Sequence, residues 1–260
     1  PLQYVDWYIK TFKSTKDLNE RNAQRISLLN EFVTAFPIVN IPNLTLDTYS
    51  LGRGSQDSFC YWLEKKLGSL GRFSPGLAGT TVYGVYFSQE LNAFVSTDKT
   101  PQQKLDDIKS ALNTLLTTQN YTAAAAIFRK SFILKILSSY FPNEYFPIFS
   151  QNHLKLIAKI FEINTTGLDD IQLNKKINEK FFEMKANHSS NISNFDFMGH
   201  LYDKFKIKND DVNLDDVQVL DTLGEKKLIQ FHPAYTYEDF VRGITADTNT
   251  RGQVEYKVEN

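Results

Sequence analysis

Cys60 and the four histidines are the side chains of this sequence best suited to nucleophilic or metal chemistry. A zinc site needs cysteine or histidine ligands at close spacing, but His153, His188, His200 and His232 are dispersed along the chain. A thiol nucleophile needs a neighbouring base, and no local signature of a cysteine enzyme surrounds Cys60. A small buried cysteine in an aromatic segment is the favoured interpretation. We therefore predict neither a metal site nor a catalytic residue.

Phosphate chemistry has its own sequence requirements. A nucleotide-binding loop of the form G-x-x-x-x-G-K-[ST] holds phosphates with backbone amides and a lysine. The nearest string, Gly224-Glu225-Lys226-Lys227, lacks the first glycine and the Ser/Thr that would hold magnesium. A nuclease of the PD-(D/E)xK type needs carboxylates and a lysine at fixed spacing on a strand, and neither Glu162 nor Asp210-Asp211 has that context. The sequence predicts neither a nucleotide site nor a DNA-cleaving site.

The overall charge limits how the chain can meet nucleic acid. Of its 260 residues, 29 are Lys or Arg and 30 are Asp or Glu, and 42% are hydrophobic. This length and composition suit one large domain or two smaller ones with a sizeable core. Because the charges nearly cancel, no global positive field draws the molecule onto phosphates. Any nucleic-acid surface must therefore be local.

Several features concern the compartment. The longest apolar runs, 123–128 and 131–137, are shorter than the roughly 20 residues needed to cross a bilayer, and Lys130 and Lys135 interrupt them. The sequence around Pro1 lacks the basic and apolar pattern of a signal peptide. A single cysteine fits a reducing compartment. We expect a cytoplasmic protein with no membrane partner.

Hydrophobic spacing predicts the elements that must position any site. Apolar residues at helical spacing predict helices within 17–36, from 105 to 115, from 132 to 140, from 154 to 161 and from 173 to 182. Residues 58–67 suit a short helix or strand. Glycine-rich residues 68–79 form a loop before two predicted strands, 81–88 and 93–97, which are expected to make a β-hairpin.

These elements predict a mixed α/β, helix-rich fold in three parts. Residues 1–104 form an α/β region with a small sheet and the hairpin, and residues 105–208 form a helical subdomain. An acidic, apolar-poor stretch beyond Lys208 indicates a linker, so a boundary is expected there. Residues 209–260 contain strand-like segments at 227–231 and 253–258 but are too few to close a core of their own.

One segment near the end of the chain carries a specific motif. Residues 230–244 read Gln230-Phe231-His232-Pro233-Ala234-Tyr235-Thr236-Tyr237-Glu238-Asp239-Phe240-Val241-Arg242-Gly243-Ile244. This string resembles the Q-F-H-P-[SA]-Y-[ST]-Y-E-D-F-[IV]-x-G signature of McrB-like AAA+ restriction NTPases. By itself it is compatible with a strand, an aromatic turn and a short helix. In that family a P-loop precedes the signature, whereas here the acidic stretch Asp210–Asp216 stands upstream, so residues 209–260 resemble a truncated AAA+ remnant.

Two upstream segments are similar to blocks of the same family: residues 43–64, with the glycine loop and Tyr83–Tyr86 behind them, and residues 138–153. The resemblance implies an amino-terminal part that recognises DNA, often at a modified base, and a motor that hydrolyses ATP or GTP with magnesium. It also implies a McrC-like nuclease subunit as partner and a homo-hexamer through an intact motor. With no P-loop or Walker B strand, this chain is not expected to hold a nucleotide or act as an enzyme alone.

The resemblance also nominates residues for DNA binding. Reading a base in a duplex requires extruding it, stacking it on aromatic rings and holding the backbone with arginines or amides. The candidates are the glycine-flanked arginine and the polar and aromatic residues around the glycine loop: Arg53, Gly54, Ser58, Tyr61, Trp62, Arg72, Tyr83 and Tyr86. The alternative is that about half of these aromatic rings belong to the core. The two arginines are the stronger candidates, because glycine-flanked arginines are rarely buried without a partner.

A second class of function is compatible with the same sequence. The helical part, from Leu105 to Phe182, would then dock a protein partner or a neighbouring subunit and contact no nucleic acid. The near-neutral charge favours this interpretation slightly. The two classes differ in salt dependence, because DNA binding weakens as salt rises.

Overall fold

A computed structural model describes residues 1–71, 73, 79–205 and 207, together with the backbone of 244–248 and 254–258. The chain divides into two compact units, 1–219 and 220–260. The described residues of the first unit contain eleven α-helices and one short hairpin. The expected helix-rich mixed fold is confirmed at that level.

The predicted boundary between 104 and 105 lies inside the first unit. Buried side chains from both sides of it belong to one core cluster, which extends from Val5 to Ile207. The first compact unit ends at Val219, three residues beyond the acidic stretch Asp210–Asp216.

The first half of this unit contains short helices joined by turns. Its helices and strands are α1 (Leu2–Thr11), α2 (Lys16–Ala35), α3 (Leu46–Tyr49), α4 (Phe59–Glu64), α5 (Gly79–Tyr83), β1 (Val85–Ser88) and β2 (Ala93–Ser96). Two 3₁₀ turns, Ile38–Asn43 and Lys66–Ser69, follow α2 and α4. The helix predicted within 17–36 is confirmed: Thr15 caps it by accepting from the Leu18 amide at 3.3 Å, and Pro37 follows its end.

The second half is a set of longer helices: α6 (Pro101–Thr118), α7 (Thr122–Ala125), α8 (Lys130–Tyr140), α9 (Gln151–Ile160), α10 (Asp170–Asn187) and α11 (Asn194–Phe205). Capping boxes begin two of them, Thr100 with Gln103 at α6 and Asp169 with Gln172 at α10. These reciprocal bonds satisfy amides that the first helical turn leaves without partners. The four helices predicted in this half are confirmed.

The hairpin is confirmed, but its first strand is shorter than expected. β1 and β2 pair antiparallel, with Phe87 opposite Phe94. Residues predicted as the beginning of the strand instead form α5, which ends just before Gly84 at φ +75°. A side chain there would press on Ile108 and Ile127, so the glycine allows the chain to turn tightly against α6.

The short helices α3 and α7 were not predicted from the sequence, and neither were α1 and α11. Helices α1 and α11 pack on each other through aromatic rings. Tyr8 stacks on the His200 imidazole with ring centroids 3.4 Å apart, and the Tyr4 hydroxyl is 3.0 Å from His200 Nε2. Burial beside Lys204 lowers the pKa of His200 to about 4. A neutral imidazole therefore joins the two helices at neutral pH.

The described backbone of the second unit is a strand pair. β3 (Ile244–Thr248) and β4 (Val254–Val258) are antiparallel, with Ile244 opposite Val258. The strand predicted at 253–258 is confirmed, whereas β3 was not expected. The strand predicted at 227–231 lies outside the described residues.

Candidate nucleic-acid interface

Arg53 is the exposed cation of the predicted DNA-binding set in the described part of the chain. Its side chain is 51% exposed and forms an ion pair with Asp47. The guanidinium carbon lies 5.7 Å from the ring centroid of Phe87 and 5.5 Å from that of Phe94. An arginine over aromatic faces is held by a cation–π attraction while its charge stays accessible.

The hairpin supplies the platform beneath Arg53. Phe87 and Phe94 are paired across β1 and β2, and their rings meet edge to face with centroids 5.2 Å apart. Both rings are half-buried. These two phenylalanines were not among the predicted site residues. They lie in the two segments predicted as strands. An aromatic residue in a strand usually indicates packing within the sheet, so the sequence did not distinguish these two from ordinary strand residues.

Two glycines give the loop before α4 its path. Gly52 and Gly54 have φ values of +109° and +82°, in the left-handed region that favours glycine. The Gly52 segment lies against β1, where the Phe87 amide donates to the Leu51 carbonyl at 2.9 Å and Gln89 donates to the Gly52 carbonyl. A side chain on Gly52 would overlap the Phe87 carbonyl oxygen. Gly52 therefore allows the segment that carries Arg53 to approach the hairpin.

Ser58 and Trp62 have structural roles instead of exposed positions. Ser58 is fully buried and caps α4 by accepting from the Tyr61 amide at 3.3 Å. Trp62 is 7% exposed, and the Lys66 ammonium lies 4.0 Å from a ring centroid of its indole. Tyr61 is half-buried. Adjacent residues on a helix diverge by about 100°, so Tyr61 can reach the surface while Trp62 faces the core.

Lys66, in the 3₁₀ turn after α4, is a cation that the sequence prediction did not include. Its ammonium is 2.6 Å from Asp57, and 29% of its side chain is exposed. Both Lys66 and Arg53 thus have a carboxylate partner. An anionic ligand at either residue has to compete with that carboxylate.

Tyr83 is a core residue. It is 2% exposed, its hydroxyl donates to the Glu64 carboxylate, and its carbonyl accepts from the Tyr49 hydroxyl at 2.7 Å. Burial and the adjacent carboxylate raise the pKa of Tyr83 well above its ordinary value. The structure does not place this ring where an extruded base could stack on it.

Tyr86 is half-buried and precedes Phe87 on β1. Successive strand residues point to opposite faces, so Tyr86 faces away from Arg53. A side chain added at Gly79 would lie 2.6 Å from the Tyr86 ring, which shows how closely that ring covers α5. The structure therefore places Arg53 and Tyr86, two members of the predicted DNA-binding set, on opposite faces of the hairpin.

A buried lysine holds the chain at the start of the glycine-rich loop. Lys135 on α8 is fully buried and donates to three carbonyls, those of Leu67 at 2.7 Å, Leu70 at 3.2 Å and Gly71 at 2.9 Å. An ammonium has three donors, so this arrangement satisfies all of them. Burial lowers the pKa of Lys135 to about 7. Lys135 is the link between α8 and the loop segment.

Some predicted residues lie outside the described part of the chain. Arg72 is one of them. The others form the AAA+ signature: Phe231, His232, Pro233, Tyr235, Tyr237, Glu238, Asp239, Phe240 and Gly243. Their roles remain predictions from the resemblance.

Metal and thiol chemistry find little support in the described residues. In that part of the chain, no three His, Cys, Asp or Glu side chains are grouped closely enough to hold a metal ion. Cys60 is fully buried, and burial raises the pKa of its thiol. The thiolate is the nucleophilic form, so Cys60 is unreactive in the folded protein.

The chain was compared with known proteins at three levels. No family model, curated protein or solved structure matches it. Among the described residues, no helix combines the length and apolar character needed to cross a membrane.

Proposed function

We propose that this chain is the DNA-recognition portion of a McrB-like, modification-dependent restriction NTPase acting in the cytoplasm. The observation that carries the proposal in the structure is the exposed Arg53 guanidinium above Phe87 and Phe94. The sequence support is the signature at 230–244 and its two companion segments. Residues 209–260 are then the remnant of an AAA+ motor. ATP or GTP with magnesium, the hexamer and a McrC-like nuclease belong to the assembly of an intact relative.

The proposed contact is electrostatic. A phosphate of the DNA backbone replaces Asp47 as the partner of Arg53, and an exposed ion pair costs only about 1 kcal/mol or less to exchange. A guanidinium suits this role because it can donate two parallel hydrogen bonds to a phosphate. The aromatic rings below it restrict its movement, so less entropy is lost on binding. Half-buried Tyr61 remains a candidate for base contact, whereas Ser58, Trp62 and Tyr83 support the surface from within.

The test is binding to labelled duplexes, unmodified and cytosine-modified, by fluorescence anisotropy across a salt series. We expect affinity to fall as salt rises, because neutralised phosphates release counterions. Arg53→Ala should weaken binding about tenfold at low salt and reduce the salt slope by about one unit. Arg21→Ala, which removes an exposed arginine from α2, is the control with the same change in charge. Absence of binding at low salt, or equal losses in both variants, contradicts the proposal.

A protein-interaction module is the second candidate. Carboxylates already pair with both Arg53 and Lys66, and this favours a surface that is not dedicated to phosphate. In that case the chain associates with a protein partner with little dependence on salt and does not bind DNA. Size-exclusion chromatography with a McrC-like subunit, at low and high salt, distinguishes the two functions.

A further inference from the structure

A cleft of about 520 Å³ opens between α2, α10, α11 and the turn after α8. None of its lining residues belongs to the loop of Arg53 or to the hairpin, and all of them lie in the first compact unit. Its lining residues are Asn22, Ile26, Leu29, Asn30, Val33, Ser139, Tyr140, Pro142, Asn143, Phe182, Lys185, Ser193, Asn194 and Phe195.

The walls of the cleft are largely apolar. On one side, α2 contributes Ile26, Leu29 and Val33, which recur at helical spacing. Phe182 on α10 and Phe195 on α11 also line it. Ile26 is 56% exposed, although it belongs to the apolar stripe that predicted α2 from the sequence. A large aliphatic side chain in this position covers the cleft and leaves apolar surface in contact with water.

Among the described residues that line the cleft, Lys185 on α10 is the cation. Burial lowers its pKa, and its ammonium lies 5.5 Å from the Phe182 ring centroid. Lys176 and Lys180 on the same helix pair with Glu179 and Glu183 at 3.0 and 3.1 Å. Lys185 pairs with no carboxylate among the described residues. Its charge is therefore partly desolvated and uncompensated, a situation that a bound anion would relieve.

Some polar groups of the cleft have structural partners and others do not. Asn22 bonds Asp196 at 2.6 Å, and Asn194 donates to the Pro142 carbonyl at 2.9 Å, so both amides hold neighbouring elements together. Asn30 and Asn143 are exposed and make no side-chain hydrogen bond within the part of the chain that is described. These two amides are free to bind polar atoms of a ligand.

We propose that this cleft binds a small amphipathic anion, a molecule with an apolar ring or chain and one carboxylate, sulfonate or phosphate. The apolar part lies between α2 and the two phenylalanines, and the anionic group lies against the Lys185 ammonium. The volume is within the range of small-molecule sites, roughly 300–1,000 Å³. That volume favours a small molecule over a polypeptide segment. The proposal does not depend on DNA binding.

The probe pair that tests this is 1-anilinonaphthalene-8-sulfonate and N-phenyl-1-naphthylamine, which share a ring system but differ in the sulfonate. Fluorescence titration of the full chain should give one saturable site for the sulfonate and weaker binding of the uncharged amine. Competition with a medium-chain fatty acid and with an aromatic phosphate then distinguishes carboxylate from phosphate ligands.

Two variants locate the site. Lys185→Met keeps the apolar stem and should weaken the sulfonate about fivefold, the size of one partly exposed charge pair, while leaving the amine unchanged. Lys180→Met removes a charge five residues earlier on the same helix and should change the affinity of neither probe. Ile26→Asn should weaken both probes, and circular dichroism checks that each variant stays folded.

The outcomes separate clearly. A selective loss of sulfonate affinity in Lys185→Met establishes the anion site, and competition identifies the preferred headgroup. Equal effects in Lys185→Met and Lys180→Met, or non-saturable binding in the wild type, overturn the proposal. A loss of both probes in Lys185→Met would also overturn it, because the lysine would then hold the shape of the cleft instead of an anion.

Discussion

The buried ammonium of Lys135 lies 2.7 Å from the Leu67 carbonyl oxygen, and this hydrogen bond joins α8 to the 3₁₀ turn after α4. The Lys135→Met variant keeps most of the side-chain volume but leaves three carbonyls without their donor. Each buried unsatisfied group costs about 1–3 kcal/mol, partly offset here by removing a buried charge. We expect a net loss of about 3 kcal/mol in the free energy of unfolding, measured by urea denaturation.

The same lysine gives a pH dependence of known sign. Its pKa is about 7 in the folded protein and about 10.4 in an unfolded chain. Between these two pH values the Lys135 side chain of the unfolded chain binds more protons than that of the folded protein. The contribution of Lys135 to the free energy of unfolding therefore rises with pH, and it is lost as pH falls through about 7. Lys135→Met should lack this slope. Lys130→Met, at a half-buried position on α8, should keep it, and parallel pH curves for Lys135→Met and wild type would contradict the prediction.

Asp196 is the centre of a polar network that joins α2 to α11. Its carboxylate, 7% exposed, accepts from Arg25 at 2.9 Å, Asn22 at 2.6 Å and Ser193 at 2.8 Å. Asp196→Asn removes the charge and leaves Arg25 unpaired, which should cost about 2 kcal/mol at neutral pH. Asp203→Asn, at an exposed position of the same helix, should cost about 0.5 kcal/mol or less.

The effect of Asp196→Asn should depend on pH. These hydrogen bonds hold the pKa of Asp196 below its ordinary value although burial opposes them. A carboxylate of this kind stabilises the fold above its unfolded pKa of about 3.9, and the contribution is lost as pH falls through the lower folded value. The gap between wild type and variant should therefore narrow in acid denaturation. A difference in the free energy of unfolding that does not change with pH would show that the packing of this side chain, and not its charge, stabilises the fold.

Gly52 provides a third test. Gly52→Ala places a side chain against the Phe87 carbonyl at a φ of +109°, and we expect a loss of about 2 kcal/mol. Gly54→Ala is the matched control, because its φ is also positive but no atom lies within 4 Å of an added Cβ, so only about 1 kcal/mol is lost. Hydrogen exchange of the Phe87 amide, which donates to Leu51, should become faster in Gly52→Ala alone. Equal exchange in both variants would argue against the close approach.

Asp47 offers a gain-of-affinity prediction. Asp47→Asn removes the carboxylate that pairs with Arg53, so DNA binding should strengthen two- to threefold at low salt, about 0.5 kcal/mol. Stability should change by about 0.5 kcal/mol or less, because the pair is exposed. Anisotropy titration measures the affinity. The double variant Asp47→Asn with Arg53→Ala should lose the gain, whereas a gain that persists without Arg53 would indicate a general charge effect.

The helices were predictable where one face is apolar and the other polar. Leu105, Ile108, Leu112 and Leu115 all became buried on α6, as their spacing indicated. α1 escaped prediction because its buried positions, Val5 and Ile9, lie among aromatic residues that also occur at the surface. α11 was not predicted either, because contacts with residues distant in the sequence stabilise it.

The site was predicted less completely than the fold. Aromatic residues near the glycine loop were expected, but no local pattern separates the buried Tyr83 from the half-buried Phe87, because tertiary packing decides both. Lys135 interrupts an apolar run in the sequence and suggests a polar boundary. Its burial follows from carbonyls about 65 residues earlier in the chain, a relationship that sequence spacing does not contain.

Cys60 has a practical consequence. It is the one cysteine of the sequence, and its side chain is fully buried. Thiol reagents can modify it only when the region around α4 opens. The rate at which a thiol reagent labels Cys60 under native conditions therefore measures how often this region opens. A reporter dye on a cysteine introduced at exposed Leu91 would attach there selectively, without replacing the native thiol.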